Sequence, residues 1–268
     1  MLKHLLRQSC GVLLGTFLIS GAAFAENQRD RDSNCKDLPT HSELKAALNA
    51  AQNQPNGGFN LEMWATVVNR DGEVCAVAFT GNHRGDQWPG SRVISAQKAN
   101  TANAFSLPGL SLSTANLFSA VQPGGSLFGL QESNPVDTSV AYKGNSANYG
   151  QANDPMNGEK IGGVNVFGGG LALYAKQDGQ RVLVGAIGVS GDSSCADHNI
   201  AWRTRNNLAL DYVPGGVSGV ATRPDNIVYD ITPQPGQMPG VSASGWGHPA
   251  CSAGATAIAI GLPIVRVP

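Results

Sequence analysis

Glu62-Met-Trp-Ala-Thr-Val-Val68, Asn69-Arg-Asp-Gly72 and Glu73-Val-Cys-Ala-Val-Ala-Phe79 follow one another without a break. Two runs of β-branched and small apolar residues around an Asp-Gly turn predict an antiparallel hairpin. The plan returns downstream, where Val164–Tyr174 and Arg181–Val189 flank Lys176-Gln-Asp-Gly179. Around these hairpins lie segments with apolar residues at helical spacing. They are Ser42–Ala51 behind a serine cap, Ser91–Phe105 ended by Leu107-Pro-Gly109, and Ser194 to about Leu210. Two hairpins with intervening helices predict an α+β fold, an antiparallel sheet with helices packed on it.

Working outward, residues 26–41 read as a polar lead-in and residues 42–210 as one domain. Within that domain, 110–163 is a Ser-, Asn- and Gly-rich insertion of little periodicity. Residues 211–268 hold eight prolines and many glycines and predict an extended arm that wraps the domain. At the other end, Lys3 and Arg7 precede the apolar run Gly11–Ser20, and Ala23-Phe24-Ala25 supplies small residues at −3 and −1. This predicts a signal peptide cleaved after Ala25 and a periplasmic or secreted product. No later segment is long and apolar enough to cross a membrane, so no membrane partner is expected for the mature chain.

Composition narrows the function. Only 14% of residues are charged, with a net charge of −1, against about a quarter in ordinary domains. Lys and Arg are scattered singly, which excludes a general nucleic-acid binder, since that needs a basic stripe to displace counterions. Cys10 falls in the signal peptide, leaving Cys35, Cys75, Cys195 and Cys251. An even count in an exported chain predicts two disulfides. The pairs expected are Cys35–Cys75, tying the lead-in to the first hairpin, and Cys195–Cys251, tying the arm to the last helix. A four-cysteine zinc site is the alternative, but the close cysteine pairs usual for one are missing.

Few residues could carry chemistry. On the 91–105 helix, Lys98 falls on the same face as Ile94, Thr101 and Phe105. A lysine on such a face must find an anion or snorkel outward. It is either an anchor for a ligand carboxylate or half of a structural ion pair. His83 and Arg84 sit in the loop Thr80–Gly90 with Trp88, where they could clasp a flat anionic ring, or simply be solvated. Ser194-x-x-Asp197 reads as a capping box. His198 and His248 would be neighbours if Cys195 joins Cys251, which offers a transition-metal or haem-iron site, although two histidines alone do not make a specific site and a structural role is the favoured reading. The Gly168-Gly169-Gly170 run opens close approach of backbone or ligand. There is no GxSxG, HExxH or Walker sequence, and no catalytic residue is assigned.

Ser91-Arg-Val-Ile-Ser-Ala-Gln-Lys98-Ala99-Asn-Thr101-Ala102 resembles the S-x6-K-A-x-T-A helix of the GlcG/HbpS-type haem-binding and haem-degrading family. Gly185-Ala-Ile-Gly-Val-Ser-Gly191 with Asp197 downstream is similar to that family's G-A-I-G-V-S-G strand and aspartate. Gly169-Gly170-Leu171 resembles its G-G-x-P-I segment, with Ala172 in place of proline. The chain departs from the family where His83-Arg84-Gly85-Asp86 stands for an Arg-Met-Asp-Gly-Ala run, and in its cysteines, insertion and arm. The resemblance implies an antiparallel α+β fold, a homo-oligomer and a haem or other tetrapyrrole ligand. Lys98, Thr101, His83 and Arg84 are the expected ligand contacts; His198 and His248, read from the expected Cys195–Cys251 bridge and not from the resemblance, are the candidate metal ligands. Three functions follow: a haem-binding protein rather than a catalyst, a haem-degrading enzyme, or a cofactor-free interaction protein.

Overall fold

The computed structural model describes residues 34–268. The expected signal peptide and Cys10 lie outside the described residues. Asp37–Pro268 forms one unit.

Helix α1 spans His41–Gln52 and starts one residue earlier than its serine suggested. Thr40 is the N-cap and exchanges hydrogen bonds with Glu43 in a capping box. Strands β1 (Trp64–Asn69) and β2 (Val74–Phe79) form the first hairpin. Helix α2 (Ser91–Ala104) follows. Strands β3 (Gly170–Gln177) and β4 (Gln180–Ser190) form the second hairpin, around Asp178-Gly179, both at positive φ. Helix α3 spans Ser194–Asn207. The four strands make one antiparallel sheet in the order β2-β1-β4-β3, so the hairpins meet along β1 and β4.

Both faces of the sheet are covered. Ala65, Val67, Ile187 and Val189 pack against Leu44, Leu48 and Ala51 of α1 and Ile200 and Trp202 of α3. Trp64, Val68, Val77 and Ala186 pack against Val93, Ala96 and Ala99 of α2. Double coverage explains why β1 is apolar at successive positions rather than alternating. Helix α2 lies close because Gly188 carries no side chain. A Cβ there would sit 1.9 Å from the Ser95 carbonyl oxygen and 2.5 Å from the Ala99 nitrogen.

The two long additions are clamped to this frame by buried arginines. Residues 110–163 form a succession of short helical turns, and Asp154 among them accepts two hydrogen bonds from Arg92 of α2. The same guanidinium donates to the Ala141 carbonyl (2.7 Å) and stacks 3.7 Å from the Tyr149 ring. Residues 211–268 carry the hairpin β5 (Ile231–Gln234) and β6 (Gln237–Ser242) and helix α4 (Ala253–Ile260). Arg205 of α3 forks onto Asp225 of this arm at 2.6 and 2.9 Å. Cys195 and Cys251 are disulfide-bonded.

Candidate functional site

Lys98, Asp197, Ser194 and the Gly168–Gly170 run gather where the start of β3, the end of β4, α2 and the N-terminus of α3 meet, whereas His83 and Arg84 lie apart from them. Lys98 points from α2 to the end of β4, where its Nζ donates to Asp197 Oδ2 (2.7 Å) and to the Val189 carbonyl (3.0 Å). Asp197 Oδ1 accepts the Asp192 amide (2.8 Å). Both side chains are buried. Burial lowers the Lys98 pKa against the pull of Asp197, and pushes Asp197 up to about 6 against the pull of Lys98. The glycine run closes over this pair. Gly169 has a φ of +117°, and a Cβ on it would lie 3.1 Å from Lys98 Nζ and 2.3 Å from the Val189 oxygen. The run therefore admits backbone rather than ligand.

Thr101 is equally committed. Its hydroxyl donates to the Gln97 carbonyl (2.8 Å) and accepts the Asn165 amide (3.0 Å). Beside the ion pair, Ser194 Oγ accepts the Gly168 amide at 2.7 Å and meets His248 Nε2 at 2.8 Å. The N-cap of α3 is Ser193, whose side chain accepts from Ala196. That corrects the capping-box reading of Ser194 and Asp197, and it frees both side chains for these contacts.

His198 and His248 are both buried on the side of α3 that the arm covers. His198 Nε2 lies 3.1 Å from Asn226 Oδ1 and from the Ile227 amide, and its Nδ1 has no hydrogen-bond partner. His248 Nδ1 donates to the Pro249 carbonyl at 2.7 Å. Burial pulls His198 down to about 3 and His248 down to about 4, so both are neutral imidazoles near pH 7. Among the described residues no group of three or more His, Cys, Asp or Glu side chains is placed to hold a metal ion.

His83 and Arg84 are exposed, and no hydrogen bond links them to Lys98 or Thr101. Their loop is nevertheless ordered. Asp86 accepts the amides of Asn82 (3.0 Å) and His83 (2.8 Å), and Gln87 Nε2 donates to the His83 carbonyl. The Gly85 amide donates to His83 Nδ1 (3.1 Å), which leaves Nε2 as the ring's outward nitrogen. Trp88 is half exposed on the same loop. Two cavities of about 690 and 460 Å³ lie elsewhere. One sits between residues 119–126 and 240–245, the other between α2 and residues 130–135, and no histidine, lysine or arginine lines either.

Sequence reasoning missed the Arg92–Asp154 and Arg205–Asp225 clamps and the Ser194–His248 contact. These partners are 62, 20 and 54 residues apart, and no local pattern joins them.

Residues 40–205 match the family model described as "Haem degrading protein HbpS-like". Among solved structures, the chain is similar to the haem complex of PduOC, with 23% identity and a TM-score of 0.42. That likeness covers 63% of this chain and 94% of the other. It is also similar to protein ORFY of Klebsiella pneumoniae, with 24% identity and a TM-score of 0.41 over 64% of this chain and 90% of that one. No curated protein matches.

Proposed function

The chain belongs to the HbpS-like haem degrading family, and from that premise we propose that it binds haem at the exposed 80–90 loop, as a binding protein rather than a catalyst. The observation that carries this reading is the state of the candidate residues. Lys98, Thr101, His198 and His248 are spent on internal hydrogen bonds, whereas His83 and Arg84 stand open on an ordered loop.

The donor chemistry of that loop fits the group. His83 would hold the iron through Nε2, and Arg84 would meet a propionate with its fork of donors. Bound haem would supply a redox-active iron and a Soret chromophore. Ligation through Nε2 requires the proton on Nδ1, so His83 gives up the Gly85 amide when it binds. The loop is open to solvent, whereas oxygen activation on haem is governed by the polarity and steric access of a distal pocket. That openness supports binding over degradation. A second copy of the chain closing over the loop would supply the missing wall, and we take the functional form to be an exported homo-oligomer.

The family's description favours a second reading, oxidative opening of the ring. Titration of the purified protein with hemin, followed by ascorbate in air, separates the two. Binding predicts a saturable Soret shift that survives the reductant. Loss of the band with release of an open-chain tetrapyrrole would establish degradation, and no saturable shift would overturn both.

A further inference from the structure

Ser194 and His248 form a pair that haem binding does not use. We propose that Ser194 is a nucleophile activated by His248, and that the chain carries a second, haem-independent centre for acyl transfer from small neutral esters. Four observations support it.

The hydrogen-bond network fixes the roles. Because His248 Nδ1 donates to the Pro249 carbonyl (2.7 Å), Nε2 keeps its lone pair, and the Ser194 hydroxyl 2.8 Å away is the donor. The carbonyl does the orienting that a carboxylate does in a triad. Ser194 is also the first residue of the fourteen-residue helix α3. The positive end of the helix dipole there stabilises a developing alkoxide. The amide of the next residue is nearly free, since Cys195 N–H donates only to the disulfide sulfur of Cys251, at 3.2 Å. Sulfur is a weak acceptor, so this amide, though buried, keeps hydrogen-bonding capacity for an oxyanion formed on the carbon that Ser194 Oγ attacks. Finally, the pair is held from both sides. The Cys195–Cys251 bridge ties the helix to the arm beside it, and the Phe118 ring packs 5.0 Å from that of His248. Ser194 is only partly buried, and Phe167, next to the Gly168 amide that meets Ser194 Oγ, is about half exposed. An apolar acyl group suits that surface.

The step balances without a co-reactant other than water. Oγ attacks the ester carbonyl carbon as its proton passes to His248 Nε2. The tetrahedral adduct then collapses, the bond to the leaving alcohol breaks, and the alcohol takes the proton from His248. Water repeats the sequence on the acyl-serine and releases the carboxylic acid. A buried imidazole held well below its usual range is a weak base, so acylation should be readily trapped and turnover slow.

A fluorophosphonate probe tests this on the intact chain at pH 8, with peptide mass spectrometry to locate the adduct. The expected result is a single adduct on Ser194, absent in Ser194→Ala and formed at least tenfold more slowly in His248→Gln, with thermal melting confirming that both variants fold. Where a variant does not fold, the site of the adduct on the wild-type chain decides. No adduct on Ser194, adducts on other serines only, or an undiminished rate in folded His248→Gln would overturn the proposal. Hemin plays no part in the assay, so its outcome is independent of the haem reading.

Discussion

Lys98 and Asp197 are 99 residues apart in the chain and 2.7 Å apart in space. Of the two roles that sequence left open for Lys98, the geometry favours the internal ion pair, because the ammonium is buried and both its acceptors belong to the protein. Breaking such a pair leaves a stranded charge. Lys98→Met should therefore cost about 3–5 kcal/mol in denaturant unfolding, with hemin affinity unchanged. A wild-type midpoint would contradict this. The buried titratable groups also set a pH dependence. His198 and His248 are depressed by burial from 6.5 to about 3 and about 4, so their contribution is present above pH 6.5 and is lost as pH falls toward those values. His198 faces Asp225, Arg205 and His248, and His248 faces Lys98. Asp197 works the other way: raised from 3.8 to about 6, it favours the fold below 3.8 and loses that contribution as pH rises through 6. Two histidines against one aspartate predict a melting temperature that falls between pH 6.5 and 4, with a shallower fall in His198→Gln. Equal slopes in the two proteins would count against the assignment.

At the scale of elements, the hairpins were legible because Asp71-Gly72 and Asp178-Gly179 mark their turns, and the helices because of their apolar spacing. The start of β3 was not. Val164–Gly169 reads as strand, but its amides go to side chains of neighbouring elements, Asn165 to Thr101 and Gly168 to Ser194, so pairing begins at Gly170. The clamps that hold the insertion and the arm were also invisible, since a lone Arg92 or Arg205 carries no sign of its distant carboxylate. The arm's attachment to α3 can be measured element by element. Arg205→Ala should strand buried Asp225 and cost about 3–5 kcal/mol. Opening the Cys195–Cys251 bridge, which spans 56 residues, by Cys251→Ser should cost roughly 4 kcal/mol on the chain-entropy account. Urea melts of the two variants check both figures, and a loss under about 1 kcal/mol in either would mean that the arm is held elsewhere.

For the molecule as a whole, the family-matched span ends at residue 205, and the segment beyond it covers α3. Asn226 and Ile227 meet His198, the Pro263 carbonyl accepts from Trp202, and His248 meets Ser194. His198 and Trp202 of α3 are thereby buried, whereas Ser194 keeps partial exposure, a fact that no reading of α3 alone could supply. The export reading makes its own whole-chain prediction: the mature protein starts at Glu26, and an unreduced digest joins Cys35 to Cys75. A Cys75 peptide linked to Cys195, or a free thiol, would refute that pairing. With His198 and His248 buried and bonded to protein partners, haem binding rests on the 80–90 loop, which presents an imidazole and a guanidinium to solvent. Hemin titration of His83→Ala beside the wild type is therefore the most direct test. A saturable Soret shift in the wild type, weakened more than about tenfold (about 1.4 kcal/mol) in a normally folded variant, is the predicted result. Equal affinity in the two proteins, or no Soret shift in either, would contradict it.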